Sequence, residues 1–228
     1  MNIHLYYRHS SHSIIKNRPK WFSFKSCWDN LLETIEGKKN IKLTLALDGN
    51  IENDFTKDYK DKFELFSTNH GSSLLSYRDL LLNIKNNTTI QPNDLIYFLE
   101  NDYLHVKGWD ESILELYNTY DVSECYISLY DHNDKYIHPM YESLVSKIFT
   151  TQKCHWRTTP STCGSFIVTK KLFDLDYDIW STTVGDHNTF LNLYETRSRQ
   201  VLTPIPGLST HCMDGLLSPC IDWEKINN

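Results

Sequence analysis

The sequence has 228 residues, 40% of them hydrophobic and 13% aromatic, which excludes a disordered or fibrous chain and suits one α/β domain of roughly 200–250 residues. Acidic residues outnumber basic ones 29 to 23, a net charge of −6, so no nucleic-acid partner is expected, because tracking phosphates needs a basic excess. No run approaches about 18 consecutive apolar residues, so no transmembrane segment is expected, and Met1–Arg8 lacks the basic start and long apolar stretch of a secretory leader.

Taken in order, Ile3–Arg8 reads as a strand. Ser23 offers an N-cap for a helix whose Cys27, Leu31, Leu32 and Ile35 recur at helical spacing until Gly37. Ile41–Leu47 is a second strand ending in the turn Asp48-Gly49-Asn50, and Phe63–Phe66 a short third. Gly71-Ser72-Ser73 opens a helix predicted to turn Leu74, Tyr77, Leu81 and Ile84 inward. The apolar run Leu95–Leu99 is typical of a strand buried on both sides, and Asp110 is placed to cap a helix with Ile113, Leu114 and Tyr117 inward. Cys125–Tyr130, Phe166–Thr169 and Val201–Pro204 read as later strands, and Asp186–Arg197 as a helix with Phe190, Leu191 and Tyr194 inward. The polar, aromatic-rich stretch His132–Gly164 is read as irregular and as a candidate acceptor region. Strand and helix alternation predicts an α/β fold with a mainly parallel sheet flanked by helices.

The six cysteines, Cys27, Cys125, Cys154, Cys163, Cys212 and Cys220, form no Cys-x-x-Cys pair and read as free thiols of a cytoplasmic protein. A zinc site from Cys154, His155, Cys163 and Cys212 is disfavoured because the spacings match no zinc module. Asp131-His132-Asn133-Asp134 starts like a calcium loop, but Lys135 and Tyr136 replace its required oxygen ligand and glycine.

In an open α/β sheet ligands gather beyond the carboxyl ends of the strands. The Leu95–Leu99 run ends in Glu100-Asn101-Asp102. If the backbone stays extended, the two carboxylates share one side and Asn101 points to the other. Paired carboxylates repel unless a cation neutralises them, and hard oxygen ligands select Mg²⁺ or Mn²⁺. Such an ion suits the departure of a diphosphate from a nucleotide sugar. The competing reading leaves both acids as solvated loop residues.

Leu99-Glu100-Asn101-Asp102-Tyr103-Leu104 resembles the Asp-x-Asp-type motif of GT-A glycosyltransferases, with Glu as the first acid and Asn in the middle. The resemblance implies a GT-A (Rossmann-like) fold in one domain, 1–228, with a nucleotide-binding half at about 1–105 and an acceptor half at about 106–228. It implies a transferase that moves a sugar from a nucleotide-sugar donor, UDP-linked as the working choice, to a glycan or other hydroxyl acceptor, with Mn²⁺ or Mg²⁺ as cofactor. Asp102 is then a metal ligand, Glu100 a ribose or metal-water contact, and Asp48 the acid that contacts the base. Gly185-Asp186 resembles the acidic pair that supplies the base of inverting members, with Gly in the first place. His211 resembles a histidine that completes the metal site. The run His155–Thr162 resembles one in small glycosyltransferase-like proteins.

Each assignment has a plainer competitor. Asp48 suits an Asx turn, Asp186 an N-cap, His211 a core histidine, and Trp156 and Arg157 surface packing. Functionally, Trp156 would stack on a sugar and Arg157 fork onto an anion, Arg8 would meet the phosphates, and Asp131 would line the sugar pocket. Two other functions stay open. A sugar nucleotidyltransferase would carry a Gly-rich loop after the first strand, where Arg8-His9-Ser10-Ser11-His12 has no glycine. A non-catalytic sugar- or nucleotide-binding protein of the same fold differs from the enzyme only in lacking donor turnover.

Overall fold

The computed structural model describes residues 1–14 and 17–227. The first half runs β1 (Ile3–Ser10), α1 (Phe24–Ile35), β2 (Ile41–Asp48), β3 (Glu64–Thr68), α2 (Ser73–Asn86), β4 (Leu95–Glu100) and β5 (Tyr103–His105). There follow α3 (Trp109–Thr119), β6 (Cys125–Ile127), α4 (Asp134–Ile137), β7 (Ile148–Thr150), β8 (His155–Thr159) and β9 (Phe166–Thr169). The chain continues through α5 (Lys170–Leu175), α6 (Tyr177–Thr182), α7 (Asp186–Arg197), β10 (Gln200–Ile205), β11 (Ser209–His211) and α8 (Trp223–Asn227).

Nine strands form one sheet in the order β3-β2-β1-β4-β9-β6-β10-β8-β7. Strands β3, β2, β1 and β4 are mutually parallel. Following the pairings outward, seven strands share one direction and only β8 and β9 run against it. The sheet is therefore mixed and mainly parallel, and it runs unbroken across residues 105–106, since β4 pairs with β9. A separate two-stranded sheet joins β5 to β11.

Alternation along the strands builds two cores. Ile3, Leu5 and Tyr7, Leu43, Leu45 and Leu47, and Leu95, Tyr97 and Leu99 point to one face, where α1 adds Trp28 and Leu31 and α3 adds Trp109, Ile113 and Leu116. Tyr6, Ala46, Ile96 and Phe98 point to the other, covered by Leu80, Leu81 and Ile84 of α2 and by Phe173, Trp180, Phe190 and Leu193 of α5–α7. Burying a strand on both faces calls for an uninterrupted apolar run, which Leu95–Leu99 supplies.

Several local expectations need correction. In α2 the expected Leu81 and Ile84 are buried, with Leu80 beside them, while Leu74 is exposed; in α7 the expected Phe190 is buried together with Leu193, while Tyr194 is exposed. Helix α3 is entered through Gly108 with φ +83°, so Asp110 lies inside its first turn, buried against Lys38 at 3.3 Å, and is not the cap. The strand expected at Cys125–Tyr130 ends at Ile127, and the stretch read as irregular contains the hairpin β7–β8 at the sheet edge.

Candidate functional site

Parallel pairing aligns the strand ends. Arg8 of β1 sits beside Glu100 of β4, and Ser10 beside Asp48 of β2. The chain leaves β1 for β2 on one side while β4 lies on the other, the switch at which an open sheet gapes. One cleft there is lined by Arg8, Asp48, Glu100, Asn101 and Asp102, with Thr68 and Ser73. An adjoining hollow shares Arg8, Ser73 and Glu100 and adds Tyr77, Trp180 and Asp186.

Glu100-Asn101-Asp102 leaves the strand as a turn into β5 instead of continuing extended. Asn101 therefore lines the same cleft as its neighbours, and its amide donates to His9 Nδ1 at 2.8 Å and Ser13 Oγ at 3.0 Å. His9 in turn meets Asp54 at 2.8 Å, which holds the Asp54 carboxyl below its usual range against the opposing effect of burial.

Glu100 lies 3.7 Å from Arg8, whose guanidinium packs over the Tyr77 ring at 4.2 Å. Burial pushes the Glu100 carboxyl up to about 7; Asp102 and Asp186 add to the push, and Arg8 and His211 oppose it. Gly164 closes on this pair: a Cβ there would stand 3.0 Å from Arg8 Nη1 and from the Glu100 carboxyl, so any larger residue would displace one of them.

Asp48 is buried at the end of β2. Its Oδ1 accepts from the Thr68 hydroxyl at 2.9 Å and the His70 N–H at 2.7 Å, which fixes the carboxylate at the cleft wall.

Asp186 is the first residue of α7 and caps nothing: the N-cap is Gly185, φ +87°, with no side-chain cap bond. Its carboxylate accepts from the Gly164 N–H. Burial raises its pKa, while Arg8 and that hydrogen bond draw it back. Of the two roles open to Asp186 in the sequence, capping drops out.

Asp102 Oδ2 meets Arg18 at 2.6 Å and His211 Nε2 at 3.1 Å. Burial alone would raise the Asp102 carboxyl; the His211 hydrogen bond and Arg18 outweigh it and hold it low. Strand β11 pairs antiparallel with β5, and the register sets His211 opposite Tyr103, one residue beyond Asp102. Among the described residues no group of three or more His, Cys, Asp or Glu gathers round one point. Asp102 and His211 still fit a hard divalent ion: their facing atoms have the spacing of neighbouring octahedral ligands, about 3 Å, and Asp102 Oδ1 is buried with no hydrogen-bond partner.

The remaining expectations fare differently. Trp156 is completely buried in the core beneath β8, so no indole face is offered to a sugar. Asp131 and Arg157 are both buried and bind each other at 2.9 Å, and the Tyr136 hydroxyl takes the second Asp131 oxygen at 2.8 Å. The structure brings together Arg8, Asp48, Glu100, Asp102, Asp186 and His211, and leaves Asp131, Trp156 and Arg157 outside the cleft. Sequence reasoning missed Arg18 and Gly164. A glycine in a polar stretch ahead of a strand is a signal of close backbone approach; Arg18 lies in no regular element and carries none.

No family model matches the sequence, and no curated protein matches it. Among solved structures, GalNAc-T7 in complex with UDP, GalNAc and Mn²⁺ aligns with a TM-score of 0.55 at 8% identity, covering 94% of this chain and 44% of that one. The Francisella tularensis 2-C-methyl-D-erythritol 4-phosphate cytidylyltransferase aligns at 0.48 and 11% identity, covering 99% and 97%. S. aureus TarS aligns at 0.46 and 10%, covering 89% and 35%. This chain thus spans under half the length of GalNAc-T7. The GalNAc-T7 likeness shows a shared fold, and the fold is of the GT-A type.

Proposed function

We propose that this protein is a glycosyltransferase that takes its sugar from a nucleotide-sugar donor and inverts the anomeric centre. The observation that supports it most is the grouping of Arg8, Asp48, Glu100 and Asp102 in one cleft beyond the parallel strand ends, with Asp186 in the adjoining hollow. A nucleotide laid across that switch point has Asp48 for its base, Glu100 for its ribose and Arg8 for its phosphates. The working donor is a UDP-sugar, the nucleotide bound by the GalNAc-T7 neighbour.

In the transfer the acceptor hydroxyl oxygen attacks the anomeric carbon. The bond from that carbon to the diphosphate breaks, and its electron pair leaves with the diphosphate. The hydroxyl proton passes to Asp186, whose raised pKa suits a base. Asp102 and His211 would hold Mn²⁺ or Mg²⁺, which when bound supplies positive charge opposite the leaving group. The acceptor is a glycan or another hydroxyl compound that enters beside Asp186 and Trp180. Six free thiols suit a reducing, cytoplasmic setting.

The test is a screen of nucleotide sugars for hydrolysis and transfer, with Mn²⁺ and with EDTA, and with the product's configuration read by NMR. Turnover of at least one donor, lost in Asp102→Ala, is expected. Tight donor binding without turnover of any donor would leave a binding protein, and release of pyrophosphate from a nucleoside triphosphate would establish a nucleotidyltransferase.

A further inference from the structure

Arg18 stands between the two residues assigned to the cation. Its Nη2 is 2.6 Å from Asp102 Oδ2, and its Nη1 is 3.1 Å from His211 Nε2 and 2.9 Å from the Cys212 carbonyl oxygen. His211 Nε2 is itself 3.1 Å from Asp102 Oδ2, so the guanidinium, the imidazole nitrogen and the carboxylate oxygen converge on one point. The Arg18 charge offsets that of Asp102 there. A divalent ion would bond to the same two atoms in the same space.

Two further observations set this apart from an ordinary ion pair. Asp102 Oδ1 is buried without a hydrogen-bond partner, whereas both Asp131 oxygens are taken, by Arg157 and Tyr136, so the Asp102 carboxylate is left half matched, as it would be with a stand-in for a different cation. Arg18 also lies outside every strand and helix, its guanidinium resting against the Phe22 ring at 5.2 Å, so moving it breaks no ladder. Arg157, by contrast, is held on the strand β8 and pairs with Asp131 in a buried setting.

We propose that Arg18 is the resident cation of the Asp102–His211 seat and that a divalent metal ion enters only by displacing it. In the Arg18-bound state the guanidinium neutralises Asp102 and stands against His211 Nε2. Withdrawal of Arg18 frees both donors at once. The inference rests on the assignment of Asp102 and His211 to the donor's cation, and it gives that site a built-in competitor.

The experiment titrates Mn²⁺ alone into the full chain, with free Mn²⁺ followed by electron paramagnetic resonance and no nucleotide present. Arg18→Ala is expected to bind Mn²⁺ roughly 10-fold or more tightly than wild type, since a competing positive charge has gone. Adding Asp102→Asn to Arg18→Ala should abolish the gain. Arg18→Gln, neutral and close in size, repeats the comparison should the alanine variant fold poorly. Equal affinity in wild type and both Arg18 variants overturns the proposal, as does a gain that survives Asp102→Asn. A protein that shows the gain but turns over no nucleotide sugar keeps Arg18 in this role and loses the transferase reading; donor turnover with equal Mn²⁺ affinities does the reverse.

Discussion

Two pairs of the same chemistry, Arg8 with Glu100 and Arg157 with Asp131, sit in the two halves of the molecule and have opposite characters. Arg157 and Asp131 meet at 2.9 Å with side chains 6% and 1% exposed, and Tyr136 takes the second carboxylate oxygen. Arg8 and Glu100 stand 3.7 Å apart with 15% and 32% exposure. The first pair is closed and largely satisfied. The second is loose and faces a cleft; burial raises the carboxyl in both pairs, that of Glu100 to about 7. The lesson is that an arginine near an acid marks a site only where burial and bonding leave the charge incompletely matched. Asp176 in the second half makes the same point: with no exposure, it is bound by Arg197, Arg199 and the Tyr126 hydroxyl, which is scaffolding.

The largest expected effect lies on the open side. Asp186→Asn keeps an oxygen for the Gly164 N–H but cannot accept a proton, so kcat should fall by about 10²–10⁴ while the melting temperature holds. Near-normal turnover would remove Asp186 from the chemistry. On the closed side, Arg157→Ala strands a buried carboxylate and should cost about 3–5 kcal/mol in urea unfolding, with turnover per folded molecule little changed. Unchanged stability with lost acceptor use would instead return Asp131 and Arg157 to the acceptor site.

A smaller effect is expected at Asp48. Asp48→Ala removes an acceptor from the cleft wall and should raise the donor KM roughly 10-fold, leaving kcat less affected; an unchanged KM would reduce Asp48 to a turn residue held by Thr68 and His70. The smallest effect concerns pH. The native pKa of Glu100, about 7, lies above that of an unfolded glutamate, so the native state holds the proton longer. Stability from this group is complete below the unfolded value, about 4.3, and is lost as pH rises through the native value. Glu100→Gln should erase that loss, read as a flatter melting temperature against pH across this window. A wild-type curve of the same shape would mean that the loose pair is as well matched as the closed one.

Much of the first half was legible in the sequence because local signals there agree. Ser23 caps α1 and Leu95–Leu99 is a doubly buried strand; in the second half, Asp186–Arg197 is a helix with the predicted bounds. The hairpin β7–β8 was not legible, since a short edge strand such as Ile148–Thr150 has exposed residues and no long apolar run. Trp156 was misplaced for a related reason: the polar neighbours of its strand suggested a surface loop, while pairing with β10 turns its indole into the core.

What the sequence alone determined is the set of strand ends and the acids they carry, because alternation and apolar runs are properties of neighbours in the chain. Only the tertiary structure decided which of those acids have partners. Register across the parallel strands placed Arg8 beside Glu100. The fold then brought Arg18 to Asp102 across 84 positions and to His211 across 193. Electrostatic partners are chosen by distance in space, and a segment with no periodicity of its own leaves no trace of that choice in the sequence.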